Sequence, residues 1–203
     1  MSGQGSLFGD EEPAPVKRGV VEGGRAGVEQ SLFFALVPPP ELAEQLAANA
    51  PELQRRHGMS GNPIDSKRLH VTLCDAAEAK GCDMPTAFIE TARAMARGIR
   101  HAPIEILLDR VWSFPGGEAV ALIGDGNAGA ISLARQLAGP LKNNGLIGKL
   151  SSTPHLTLFY DAHHRLEKTP VEPVSWTANE FVLLISHVGQ SRYEELGRWP
   201  LTA

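Results

Sequence analysis

Two short phrases hold the residues best suited to chemistry. RLHVTL sets His70 and Thr72 two positions apart, PHLTL does the same with His155 and Thr157, and the two histidines stand 85 residues apart. In an extended strand, side chains alternate between faces, so each histidine shares a surface with its threonine while Val71, Leu73, Leu156 and Leu158 anchor the other side. Two lobes packed with these surfaces facing would form a cleft holding two imidazoles and two hydroxyls. An imidazole, with an ordinary pKa of about 6.5, gives or takes a proton near neutrality. A threonine hydroxyl donates to a phosphoryl oxygen as negative charge builds there. The set suits in-line displacement at phosphorus: one ring activates water or a ribose hydroxyl, and the other protonates the leaving oxygen. Such chemistry requires no metal, cofactor, carboxylate or thiol. A single His-x-Thr in an apolar strand is ordinarily a packed or surface histidine, and it is the repetition that singles these out.

The elements around the phrases read as a mixture of strands and helices. Leu32 to Val37 is a buried strand, and the prolines after it open a helix through Glu41, Leu42, Gln45 and Leu46. RLHVTLC is the next strand. Apolar residues at helical spacing (Phe88, Ala92, Met95, Ile99) make the next helix. PIEILLDRVWSF and EAVALI form a hairpin around Pro115, Gly116 and Gly117. A helix over AGAISLARQLAGPL precedes strands in TPHLTLFY, WTANEFVLLISHV and RYEELGRWPL. Without regular βα alternation, the order predicts an α+β fold of two pseudo-symmetric lobes, antiparallel sheets around a central cleft, with one phrase in each lobe.

Composition bounds the rest. The chain has 203 residues, 42% hydrophobic, enough for one sizeable domain over residues 30–203. Residues 1–29, rich in Gly, Pro and charge, bury too little to offset ordering and read as a disordered tail. The formal charge of −4 argues against a protein that coats nucleic acid. Residues 1–29 hold five acids and three bases, which leaves 18 and 16 for the body, so a local pocket for one or two phosphates is still open to it. No apolar run is long enough to span a bilayer and no secretory signal is visible, so a cytoplasmic location is expected. Cys74 and Cys82 read as reduced thiols. Nothing in the sequence bears on oligomeric state.

The paired phrases, in this order and with these flanks, resemble the 2H phosphoesterases, and among them the LigT-like RNA 2′,3′-cyclic phosphodiesterases also called 2′-5′ RNA ligases. The resemblance covers roughly residues 31–201, from SLFFALVPPPELAEQL to the closing ISHVGQSRYEELGRWPL. It implies a metal-independent hydrolysis of a 2′,3′-cyclic phosphate, on RNA ends or small nucleotides, to a 2′-phosphate, with 2′-5′ ligation as a companion activity. It implies His70 as proton donor and His155 as acceptor, roles that spacing alone does not distinguish. Many members follow the second motif with an alanine and a phosphate-facing arginine, whereas this chain continues Phe159, Tyr160, Asp161. Candidates for the missing cation are Arg68, on the face of His70, then Lys149 and Arg165. Phe159 falls on the face of His155 and is a candidate to stack on a base, with strand-end packing as the alternative. The rival from another class is a nucleotide- or RNA-binding protein that keeps the cleft without turnover.

Three further patterns carry less. QGSLF, Gln4 to Phe8, resembles the peptide by which bacterial proteins dock on the sliding clamp, but matches of this length arise by chance. Gly124 to Gly129 fits G-x-G-x-x-G, yet Lys149 stands where a dinucleotide site needs an acid, so these glycines read as a strand-to-helix loop. His163, His164 and Asp161 read as polar loop residues and not as metal ligands.

Overall fold

The computed structural model describes residues 20–22 and 29–202. Gln4 to Phe8, and most of the expected tail, lie outside the described residues. Within that stretch Val20–Glu22 forms a short strand, β1, paired in parallel with residues 78–80. The remaining order is β2 (Glu29–Leu36), α1 (Pro40–His57), a 3-10 turn (Ser66–Arg68), β3 (Val71–Lys80), α2 (Thr86–Arg97), β4 (Ile104–Ser113), β5 (Ala119–Ile123), α3 (Ala128–Asn143), β6 (Lys149–Leu150), β7 (His155–Tyr160), β8 (Thr169–Ala178), β9 (Glu180–His187) and β10 (Arg192–Pro200).

The strands form one sheet in the order β10-β9-β2-β3-β7-β5-β4-β8, with β1 and β6 attached to β3. Every pairing along that path is antiparallel. β10 to β3 make one lobe and β7 to β8 the other. They join through a single residue pair, Val71 with Leu156, at the centre of the two phrases. The expected two-lobed α+β fold is thus observed, each lobe contributing one His-x-Thr strand to the seam.

One continuous core lies between the helices and one face of the sheet. It contains Phe34, Leu36, Leu73, Leu133, Leu137, Leu141, Phe159 and Phe181, all fully or almost fully buried. A second, smaller cluster of Phe33, Ala35, Val182 and Leu184 sits on the other face. Alternation along β2 explains both: Phe34 and Leu36 point to the helices, while Phe33 and Ala35 line the cleft.

Two differences from the sequence reading have clear causes. WTANEFVLLISHV is not one strand but two, broken at Asn179: Trp176 and Ala178 pair with β4 in the second lobe, whereas residues from Glu180 pair with β10 in the first. The chain crosses between lobes there. The first part of β8, before Trp176, lies outside the expected strands and carries Pro170 and Pro173, residues disfavoured inside a sheet. It pairs only with β4, as an edge strand, where a residue lacking an N–H is tolerated.

The expected hairpin turns at Pro115 to Gly117, with Gly116 at φ 73°. At the expected loop, Gly124 packs against the Leu107 carbonyl, where a Cβ would sit 2.0 Å from the oxygen. The buried Asn127 side chain bonds both the N–H and the carbonyl of Leu107. These residues fasten β4 to the start of α3, which accounts for them without a dinucleotide.

Candidate active site

The site is built at the seam. With Val71 opposite Leu156 in an antiparallel pair, the register sets His70 against Thr157 and Thr72 against His155, all four on one face. The two histidines are diagonal neighbours, about 7–8 Å apart at the backbone in a regular pair. All four side chains are partly exposed, and the valine and leucine between them are fully buried.

The histidines are held in matching ways. Nδ1 of His70 lies 2.7 Å from the carbonyl of Arg68, and Nδ1 of His155 lies 2.7 Å from the carbonyl of Thr153. A carbonyl only accepts, so Nδ1 carries the proton in each ring and Nε2 is left for chemistry. Each ring also packs on aromatics from its own lobe. His70 lies 5.1 Å from Phe33 and 5.4 Å from Tyr193 between centroids, while His155 lies 4.6 Å from Phe114, itself 4.6 Å from Trp112. Burial pushes the pKa of His70 down to about 4; its Arg68 bond opposes this, and His155 and Arg68 add to it.

A pKa depressed in the fold means that the unfolded chain binds the proton more tightly. The stability His70 contributes is present above about pH 6.5 and is lost as pH falls through about 4. An NMR titration of the His70 ring is expected to give a midpoint near 4; a midpoint near that of a free imidazole would refute its desolvation.

Both phrases are followed by a β-bulge. In the β2·β3 pairing Ala35 faces Thr72 and Phe34 faces Cys74, so Leu73 is the extra residue. In the β5·β7 pairing Ala121 faces Thr157 and Val120 faces Phe159, so Leu158 is extra. An extra residue breaks the two-residue alternation. Leu73 and Cys74 both turn inward, as do Leu158 and Phe159, and the next cleft-facing positions are Asp75 and Tyr160. Phe159 is therefore not at the cleft: it is 0% exposed, and an enclosed ring has no face for a base. Tyr160 takes the place assigned to it, and the sequence signal was the double apolar step in T-L-C-D and T-L-F-Y.

The three candidate cations part company. Arg68 lies beside His70, its guanidinium 4.9 Å over the Tyr193 ring, and its Nε is buried without a hydrogen-bond partner. It lines a pocket of about 390 Å³ with His70, Tyr193, Leu184, Glu195 and Arg198; the pocket walls do not include His155. Lys149 faces Asp75 across β6, where it lowers a carboxyl pKa that burial raises. Arg165 donates to the carbonyls of Asp161 and His164. Arg198 is committed to Glu195 and Glu180.

His163 and His164 are exposed loop residues whose backbone N–H groups donate to the buried Asp161 carboxylate. Ser60 N–H donates to it too, and these backbone donors hold its pKa well below the usual carboxylate range. Asp161 thus staples the loop before the first phrase to the end of β7. Among the described residues, no three His, Cys, Asp or Glu side chains gather as a metal site, and no helix is long and apolar enough to cross a membrane.

No family model matches the chain, and no curated protein matches it. Solved structures do. E. coli LigT complexed with 3′-AMP is similar at 27% identity and a TM-score of 0.69, over 86% of this chain and 99% of its own. The fold is that of the 2H phosphoesterases. Within that superfamily it is LigT-like. A structure described as a phosphoesterase is similar at 27% identity and a TM-score of 0.67, with 86% and 99% of the two chains covered. A Thermus thermophilus protein, 19% identical over 84% of this chain and 97% of its own, matches in fold at a TM-score of 0.65. Other E. coli LigT structures are complexed with ATP, NADP+ and phosphate.

Proposed function

We propose that the chain is a phosphodiesterase that opens a 2′,3′-cyclic phosphate, on an RNA end or a small nucleotide, to a 2′-phosphate. The observation carrying this is the matched pair of imidazoles, each with Nδ1–H fixed by a carbonyl two residues upstream and Nε2 free, diagonal across the seam. One Nε2 takes a proton from water as its oxygen attacks phosphorus. The bond from phosphorus to the 3′ oxygen breaks, and the other Nε2 delivers a proton to that oxygen. Thr72 and Thr157 donate to the non-bridging oxygens, where charge accumulates. Joining of a 2′-5′ linkage uses the same steps in the same direction, with a ribose 5′-hydroxyl replacing water as the attacking group and the 3′ oxygen again leaving phosphorus with a proton.

The depressed pKa of His70 adds a condition. In the empty cleft its neutral form is favoured, so the donor role implied by the family resemblance requires loading on binding. A phosphodiester anion against the ring favours the imidazolium and offsets the desolvation.

Arg68 is the cation we assign to the phosphate. Replacing it with alanine is expected to raise KM by roughly tenfold, the scale of one charge-assisted hydrogen bond, with a smaller change in kcat; an unchanged KM would remove it from the site.

The reading is tested by incubating the protein with a 2′,3′-cyclic nucleotide in excess chelator and identifying the product. A 2′-phosphate is expected. Binding without turnover across mononucleotides and cyclic-phosphate-ended oligonucleotides would favour the nucleotide-binding rival.

A further inference from the structure

Tyr160 combines a fixed backbone with a free ring. Its residue pairs with Ala119 in the β5·β7 ladder. On either side of it, Ile64 N–H donates to the Leu158 carbonyl and Asp161 N–H to the Glu118 carbonyl, each at 2.8 Å. Gly61, at φ 115°, lies so close that a Cβ there would sit 2.0 Å from the Tyr160 carbonyl oxygen. Tyr160 as a whole is 51% exposed.

The bulge at Leu158 turns this ring to the face of His155 and Thr157. It stands two ladder steps beyond Thr157, about 6.6 Å along the strand, and a ribose spans a gap of that order between its phosphate and its base. From the opposite lobe, Tyr193 and Arg68 both act on the Tyr160 hydroxyl, whose pKa is raised mainly by burial. Arg68 has one face on Tyr193 and sits next to His70. The cation and the exposed ring thus face each other from different lobes at the end of the cleft beyond His70 and Thr157, one suited to a phosphate and the other to a flat apolar group.

We propose that Tyr160 binds the nucleobase of the substrate, which stacks on its ring while the cyclic phosphate lies between the histidines. This deepens the phosphodiesterase reading and rests on it: the preferred substrate is a nucleoside-bearing cyclic phosphate and not a plain sugar phosphate. A π-face accepts any base, so the expected selectivity is for the presence of a base and not its identity.

The test compares adenosine 2′,3′-cyclic phosphate with 1-O-methylribose 2′,3′-cyclic phosphate. Tyr160→Ala is expected to raise KM for the adenosine substrate by roughly tenfold, the lower half of the range for one stacked base, with kcat within twofold and the base-free substrate unaffected. Tyr160→Phe should retain wild-type KM on both. Equal effects on both substrates, or none on either, would overturn the assignment. Titration with adenosine 2′-phosphate and ribose 2-phosphate gives a second readout independent of turnover. Absent turnover with base-dependent binding lost in Tyr160→Ala would refute the phosphodiesterase reading and keep the base site; unchanged binding would refute the base site.

Discussion

Replacing either His70 or His155 with alanine is expected to lower turnover of a 2′,3′-cyclic nucleotide by roughly 100-fold or more, the usual cost of losing a general acid or base. The two rings sit at equivalent places in the two lobes, with the same Nδ1 anchor, so neither can stand in for the other on the opposite side of phosphorus. Because they act in one step, the double variant should be little worse than the poorer single one. His70→Ala also opens a gap against Phe33 and Tyr193, so thermal melting has to accompany the kinetics. A folded single variant turning over at the wild-type rate would end the two-histidine mechanism.

The second large effect is on stability and comes from Phe159. Its ring is wholly buried, next to the bulge and bridged through its backbone to Pro63. Phe159→Ala is expected to cost about 3–5 kcal/mol, the range for truncating a buried aromatic, read from the shift in urea midpoint. Phe159→Leu should recover most of that loss and leave KM unchanged. The adjacent Tyr160→Ala should do the opposite, with little change in midpoint and a raised KM for a base-bearing substrate. A Phe159→Leu variant of normal stability but selectively weakened nucleotide binding would return the ring to the cleft.

The contrast between these neighbours marks where the sequence was readable. The period-two pattern of His-x-Thr and its apolar backing identified the seam strands and the face they share, because nothing interrupts the alternation up to Thr72 and Thr157. One residue later it breaks. A bulge is fixed by what the partner strand offers, here β2 and β5, and the local sequence records it only as two successive apolar residues. Extrapolating the alternation therefore put Phe159 at the cleft and overlooked Tyr160. The helices of all three α segments were legible from spacing, and the hairpin from Pro115 to Gly117. The crossing at Asn179 was not, since a polar residue inside an alternating run looks like any solvent-facing strand position. The first part of β8 was not legible for a related reason: what makes Pro170 and Pro173 acceptable in a strand is an edge location, which is a property of the whole sheet.

Arg68 illustrates a different route. Its place two residues before His70 suggested a shared strand face, but the chain there is a 3-10 turn and not a strand. The turn leaves the Arg68 carbonyl to hold His70 and lays the guanidinium over Tyr193. The sequence puts Arg68 beside His70 through a shared strand face, and the structure puts it there through a turn.

The most direct measurement is a crystal structure of the protein with a bound nucleoside 2′-phosphate. Nε2 of His70 and Nε2 of His155 are both expected within hydrogen-bond distance of oxygens on the same phosphorus, about 2.6–3.2 Å, with Thr72 and Thr157 on its remaining oxygens. A phosphate held by one histidine alone, with the other ring turned from it, would contradict the account.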